Sequence, residues 1–500
     1  MNVLAAEALA PSMLVAAALS VAAPLAGALA LSAGYRPGSL RRFATALVGL
    51  ALAASLAIAG SWAAGAGTPV AVGGRLAGGA LVCLDGLTAV LLPYVALVEL
   101  SILLAAPRRA LEPEAVARKL FGTAATCALF LTSHPLALVV LWIFTALATW
   151  ISVRSTPGGA EAARVFAIAM TAAVACMAVG TMLLVVDPPW DAAAGWAGTA
   201  GGWLVALAVL IRKGIFPFHS WYPALFSGGT MATALAATMP QVASYTAVRL
   251  LIGHVDHPEG VATELVVLSQ LALVTTTYGA ALSIVQRDLR GLIGTLAMSQ
   301  SAMVLAGLAG TLPMELDGAF CVWIASGLAL TGLGLVSWAL ESRAGPIRLD
   351  SPQGRFWDAP ALAAFFLLFG LAGIGLPGTL SFVADDLIVS GILDEQLHAG
   401  ILVVLATMFS GIAVMRGWFG VFGGPVEPDG SRHAILPRER VAFTALLATL
   451  FILGLWPGPL VRIVDQAAER LLGVAAPAGA GAAAVVPHHG AGLQESAPGS

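Results

Sequence analysis

The sequence predicts an all-α, polytopic membrane protein of about 14 transmembrane helices, built on two inverted five-helix repeats and carrying two broken helices. Three observations predict it. Apolar residues make up 59% of the 500 and charged residues only 10%; an ordinary soluble domain carries roughly 25% charged residues, so the solvent for this chain is lipid. Segments of about 20 apolar residues, enough to cross a hydrocarbon core of roughly 30 Å, recur along the whole length. Basic residues, finally, collect in alternate loops.

The expected spans are 11–34, 43–65, 81–105, 119–133, 135–153, 163–186, 199–216, 228–252, 263–285, 291–311, 317–340, 360–383, 398–422 and 439–461. With the N-terminus outside, 18 of the 24 basic residues fall in inner loops, among them Arg41, Arg42, Arg108, Arg109, Arg118 and Lys119. The opposite side holds Arg75, Arg249, Arg462 and Arg470, while Arg212 and Lys213 lie within the membrane. That asymmetry is what the positive-inside rule predicts for an even number of crossings in a cell inner (plasma) membrane with both termini outside.

Residues 1–118 hold the first three helices. Residues 119–252 form a first five-helix repeat (helices 4 to 8), and 263–422 form a second (helices 9 to 13). The last helix and its flank occupy 436–474. The tail, 475–500, is rich in Ala, Gly and Pro, lacks helical periodicity and is expected to be disordered. His488 and His489 within it offer two metal-type ligands without a supporting set.

Composition also excludes chemistry. Cys83, Cys127, Cys176 and Cys321 are scattered through apolar runs with no C-x-x-C spacing, which argues against metal centres, iron–sulfur ligation and disulfides. No Rossmann fingerprint or haem ligand pair is present, so no cofactor, NADH binding or electron transfer is expected of the chain itself, and nucleic acid is not an expected partner. Met1 to Ala10 carries no Lys or Arg and Glu7 is its only charge, so no secretory signal is expected there.

Two segments do not read as plain spanning helices. The stretch from Arg212 to Trp221, R-K-G-I-F-P-F-H-S-W, sets two adjacent cations in apolar surroundings just before a proline. Each Arg or Lys at mid-bilayer costs about 2.5–3.5 kcal/mol on insertion scales, so the pair either marks an ion pathway or snorkels from a helix end. The twelfth span carries Gly373, Gly375, Pro377 and Gly378 before Asp385 and Asp386. Proline removes a donor and clashes with the preceding turn, so both helices are expected to unwind, at Pro217 and Pro377. Unwound backbone at membrane depth survives only where protein buries it or a wet cavity solvates it. Paired interruptions at matching places in two repeats build the ion sites of transporter folds.

Several motifs now carry a resemblance. Phe216 to Pro223, F-P-F-H-S-W-Y-P, resembles the signature of the antiporter-like membrane subunits of respiratory complex I (NADH:quinone oxidoreductase chains of L, M and N type) and of the Mrp-type cation/proton antiporters. Leu84-Asp85-Gly86-Leu87-Thr88 is similar to that family's opening of the third helix. Asp288-Leu289-Arg290 with Ser299-Gln300, Gly373 to Asp386, and Met415-Arg416 with Gly454 to Pro459 are similar to its later helices. The resemblance covers about residues 80–460. It implies fourteen helices with both termini outside, and translocation of protons or monovalent cations along buried ionisable residues, driven by redox chemistry elsewhere in a multi-subunit complex.

The relay that the resemblance implies is altered here. Ile143 stands where relatives carry a glutamate, Ala325 and Ala329 where the eleventh helix has His and Lys, and Ala384 where the twelfth has Lys. In the eighth helix, where relatives place His or Lys, the matching stretch from Ala237 to Val242 offers only Thr238 and Gln241. The seventh-helix lysine position falls on Arg212, which sets a potential but cannot carry a proton. Lys213, about 100° further round, titrates only if local unwinding turns it inward. The candidate pathway residues are therefore Arg212, Lys213, His219, Gln241, Asp385 and Asp386. His219 belongs at the inner mouth or anchors the interface. Asp385 and Asp386 are the best buried acids or cap the second half of their helix. Ser299 and Gln300 bond between helices or hold a water wire, whereas Asp85, Asp288 and Arg290 fix loops.

Three functions fit: an ion-conducting subunit of a complex-I-like assembly, the membrane half of an inorganic-carbon uptake system, or a non-pumping structural subunit with a degenerate relay. The implied partners are the lipid bilayer, other membrane subunits, and protons or monovalent cations.

Overall fold

The structure, a computed structural model, describes residues 3–65, 67, 69–73, 79–187, 195–252, 263–308, 313–395, 397–425 and 434–471. Arg75, His488, His489 and the expected disordered tail lie outside the described residues. The fold is all-α apart from one two-stranded hairpin, and the chain is a multi-pass membrane protein.

Helices α1 (Val3–Ser32) and α2 (Leu40–Ala63) precede the hairpin, in which β1 (Val70–Val72) pairs antiparallel with β2 (Val82–Leu84), Ala71 opposite Cys83. Asp85 then caps α3 (Gly86–Ala105): its Oδ1 accepts the Thr88 N–H at 2.9 Å, and its Oδ2 pairs with Arg249 at 2.6 Å. That is the loop-fixing role expected of Asp85. Helices α4 (Pro113–Phe130) and α5 (Pro135–Arg154) both open on proline, where the missing N–H costs nothing. The fourth helix thus begins earlier than the 119–133 expected, because Pro113 starts it. Arg118 and Lys119 consequently lie on the helix rather than in an inner loop.

Helix α6 (Ala160–Val186) packs along α7 (Trp196–Lys213). Asp187 ties their ends by accepting the N–H groups of Gly195 and Gly198 at 3.0 Å. These backbone donors hold its exposed carboxyl below the usual carboxylate range.

Helix α7 stops where the sequence dictates. Gly214, with φ +68°, donates to Ile211 O, and Ile215 donates to Leu210 O, the paired bonds of a Schellman cap that glycine permits. A Cβ on Gly214 would also sit 2.9 Å from Tyr222. Past the break comes α8 (Trp221–Gly228), a helix that the expected spans do not include. The expected eighth span starts at Met231 and is interrupted. Its pieces are α9 (Met231–Thr238), α10 (Val242–Ala247) and a π-helical turn (Val248–Ile252). Met239-Pro240-Gln241 forms this third interruption, with Gln241 at φ +53°.

Helices α11 (Thr263–Ile284) and α12 (Leu289–Leu308) pack as neighbours and lead to α13 (Pro313–Ala344). At 32 residues α13 is about 48 Å long. Its Leu316–Glu341 stretch is buried on all sides, as expected of a helix without a polar face. It touches α3, α12, α14 (Pro360–Ala372), α15 (Leu380–Glu395), α17 (Pro437–Leu455) and α18 (Gly458–Leu471), so the core lies around it. Between α14 and α15 the expected break is present, with Gly375 at φ +86° and Gly378 at +89°. Helix α16 (Leu397–Phe422) lies against α11.

The last span ends at Leu455 rather than 461, because Trp456-Pro457 turns the chain by 76° into α18. That short amphipathic helix buries Leu460, Ile463, Val464, Ala467 and Ala468. Among the described residues nine helices are long and apolar enough to cross a membrane, or ten if α17 and α18 count as one. Reaching fourteen requires α7 with α8, α9 with α10, and α14 with α15 each to count as one, and α4, which carries Glu114, Arg118 and Lys119, to count as well.

Candidate functional site

The break after α7 and the break between α9 and α10 meet at Lys213. Its side chain, 2% exposed, donates from Nζ to Gln241 Oε1 at 2.5 Å and to Ser244 Oγ at 2.8 Å. Both acceptors are neutral. The left-handed turn at Gln241 aims that side chain at the ammonium, so an unfavourable backbone conformation coincides with the polar contact.

Arg212 points another way. Its guanidinium donates to Trp142 O at 3.0 Å and Thr145 Oγ1 at 2.7 Å, and lies 4.5 Å from the centre of the Trp142 ring. Trp142 is fixed in turn by its indole N–H, which donates to Thr246 at 2.7 Å. The helix ending at Lys213 therefore splits the two cations: Arg212 is clamped on α5, and Lys213 reaches the start of α10. Ile143, 41% exposed, faces away from both. Among the described residues neither cation makes an ion pair.

Two cavities touch these residues, and a third lies across α12 from them. A vestibule of about 820 Å³ opens at the exposed Ser155, Pro157 and Gly158 and ends at Arg212 and Val242. Behind Arg212 lies a cavity of about 30 Å³, room for a water, lined by Lys213, Thr238, Gln241 and Ser301. A third, of about 20 Å³, is lined by Gln300, Ala329, Gly373 and Ser410. Ser301 and Gln300 are adjacent on α12 and face different cavities, so this one helix separates the two chambers. Ser299 instead donates to Thr276 O at 2.7 Å and holds α12 on α11.

The third cavity reaches the break between α14 and α15. Asp385 is partly buried there, so close to Gly375 that a Cβ would stand 2.7 Å from its Oδ2. Ala384 is fully buried. Asp386 corrects the expectation of a second buried acid: 100° further round α15, it is exposed on the surface of the chain. His219 stacks on Phe216 at 5.9 Å between ring centres and stands 3.5 Å from Tyr278 Oη; it contacts no partner of Lys213. Asp288 caps α12 through Gly291 N at 2.7 Å, and Arg290 pairs with Glu341 at 2.7 Å. Both act as expected.

Sequence reasoning missed one pair. Glu99, 3% exposed on α3, stands 3.8 Å from Lys119 Nζ on α4, and both line the vestibule. The signal was a carboxylate inside the third span. Lys119 was assigned to a loop, which hid its partner. Among the described residues no group of three or more His, Cys, Asp or Glu is placed to hold a metal ion.

Comparison with known proteins bears on this arrangement. Residues 161–410 match the transmembrane family described as NADH:quinone oxidoreductase/Mrp antiporter. NADH-quinone oxidoreductase subunit M of Mycobacterium tuberculosis is 27% identical over 274 residues, 54% of this chain and 49% of that protein. F(420)H(2) dehydrogenase subunit M of Methanosarcina mazei is 24% identical over 276 residues, 54% of this chain and 55% of its own. The chain thus spans about half the length of the curated relatives it matches. Among solved structures, a chain of the Mrp complex from Dietzia sp. superposes with a TM-score of 0.80 at 20% identity, covering 92% of this chain and 98% of its own. A chain of respiratory complex I from Thermus thermophilus with bound NADH also gives 0.80, at 21% identity, covering 91% and 99%. At these identities the likeness establishes the fold.

Proposed function

Because the chain belongs to the NADH:quinone oxidoreductase/Mrp antiporter transmembrane family, we propose that it is a proton-conducting, or monovalent-cation-conducting, membrane subunit of a complex-I-like assembly. The observation that carries the reading is Lys213, a buried ammonium held by two neutral side chains where two interrupted helices meet. Buried polar networks on unwound backbone in a membrane mark ion pathways. Lysine exchanges a proton when buried, whereas arginine keeps its charge. In this scheme Arg212 sets the potential at the end of the vestibule, and Lys213 behind it takes and gives up the proton. Thr238, Ser301 and Gln300 carry the path across α12, and Asp385 receives it at the twelfth break. Gln241 fixes the state of Lys213, His219 orders the seventh-helix turn, and the exposed Asp386 lies outside the path.

The same reading supplies the finer assignments. Both termini face the outer side of an inner membrane, the interrupted helices count as single crossings, and 119–252 and 263–422 are the two repeats. Other membrane subunits of the assembly cover the exposed faces and supply the energy. The competing structural role draws support from Ala325 and Ala329, which leave the middle of α13 without an ionisable group.

Proton flux into liposomes containing the purified chain with its co-purifying partners, energised by their own chemistry, tests the proposal. Wild type is expected to acidify or alkalinise the lumen, and Lys213→Ala to lose the signal with the assembly intact. Unchanged flux in the variant would remove Lys213 from the path. No flux from an energised, intact wild-type assembly would leave the structural role.

A further inference from the structure

The vestibule holds an ion pair that is open where a purely structural one would be closed. A buried pair kept for stability is normally short, with its remaining lone pairs satisfied. Arg290 with Glu341 and Arg343 with Glu439 follow that pattern, at 2.7 and 2.6 Å. Glu99 and Lys119 do not: they stand 3.8 Å apart, and the buried Oε2 of Glu99 makes no hydrogen bond. Both nevertheless line the wall of the large vestibule.

Lys119 has a second oxygen within reach. Its Nζ donates to Ala232 O at 3.3 Å, and Ala232 lies on α9, the half-helix that leads to Gln241 and so to Lys213. One ammonium thus bridges a carboxylate on α3 and the broken eighth crossing. A small shift of α9 decides which oxygen holds it. The other groups beside Glu99 are Thr123, whose hydroxyl is engaged by Lys119 O at 3.0 Å, and the buried thiol of Cys127, both on α4. Around the vestibule stand Arg109, Arg118, Arg212 and Arg290, with Glu112 as the other carboxylate.

We propose that Glu99, gated by Lys119, is a proton-loading residue of this vestibule, a step that rests on the conducting role argued above. With Lys119 drawn to Ala232 O, the carboxylate loses its counter-charge and takes a proton from vestibule water onto Oε2. When Lys119 returns, that proton leaves Oε2 for the water chain toward Arg212 and Lys213. Nothing is oxidised or reduced, and the proton enters from water and returns to it. The chain thereby places an acid in the vestibule although α5 presents none to Arg212.

Infrared difference titration of the reconstituted assembly, run beside proton flux, tests this. The wild type is expected to show a protonated-carboxyl band that grows and fades with pH and is missing from Glu99→Gln. Flux in Glu99→Gln should fall by at least about tenfold, the full effect of a lost proton carrier, and Glu99→Asp should restore part of it with a displaced pH profile. Glu99→Gln pumping at the wild-type rate and pH profile would overturn the proposal, as would a titrating band unchanged in that variant. If Glu99→Gln does not assemble, the paired variant Glu99→Gln/Lys119→Met, which removes both charges, replaces it under the same criteria. A wild type that fails to pump overturns the conducting role instead, and the infrared band still decides whether Glu99 titrates.

Discussion

Lys213 and Gln241 meet through a hydrogen bond of 2.5 Å across two broken helices, each residue ending or beginning a half-helix. The contact joins backbone geometry to chemistry. Gly214 frees the seventh helix to stop at Lys213, and the left-handed turn at Gln241 brings its amide oxygen onto the ammonium.

That geometry separates two substitutions. Gln241→Ala keeps a strained left-handed backbone and deletes an acceptor for a buried ammonium; Gln241→Gly deletes the same acceptor but relieves the strain. Both variants should unfold more easily than wild type, the lost bond to a charged group costing about 1.5–3 kcal/mol. The glycine variant should recover about 1–2 kcal/mol of that. Thermal unfolding in one detergent checks the order, and an alanine variant more stable than the glycine variant would contradict the turn.

The pair Asp85 with Arg249, 2.6 Å apart, locks the start of α3 to the π-helical turn Val248–Ile252. Removing one partner should cost about 3–5 kcal/mol, because the other is left buried and unpaired. Asp85→Asn with Arg249→Met together should cost less than the sum of the single changes. A double-mutant cycle on unfolding free energies measures this, and strict additivity would show that the two do not interact.

Much of this was legible in the chain and some was not. Pro217 and the Gly373 to Gly378 run announced two breaks, since each removes a donor or invites a positive φ. Pro240 carried the same signal, but the apolar run around it read as one continuous span, so the third break was missed. Arg212 and Lys213 stand as a pair in the sequence, yet which one turns inward depends on where α7 stops, and Gly214 decides that three residues before Pro217. Asp385 and Asp386 could not be told apart by sequence, because neighbours on a helix differ by 100° in facing and only the packing of α15 chooses between them. Glu99 and Lys119 meet across two helices, and spacing along the chain carries no trace of such contacts.

Asp187 gives the fold a dependence on acid. Backbone N–H groups of Gly195 and Gly198 hold its carboxyl below the ordinary 3.8. A depressed folded value means that the stabilisation is present above the unfolded value and is lost as pH falls through the folded one. Asp187→Asn should therefore unfold below the wild type near neutral pH, with the gap closing as pH drops below the ordinary carboxylate value of 3.8. Melting curves across that range check it, and a gap that widens in acid would reverse the sign.

The central claim is that Lys213 moves a proton rather than merely holding charge. Lys213→Arg tests it most directly, because arginine keeps the positive charge and cannot give up its proton. In the intact, energised assembly the variant is expected to lose at least about tenfold in proton flux, while the assembly's partner chemistry remains measurable. Flux at the wild-type rate from Lys213→Arg would show that a fixed charge suffices and would contradict the account.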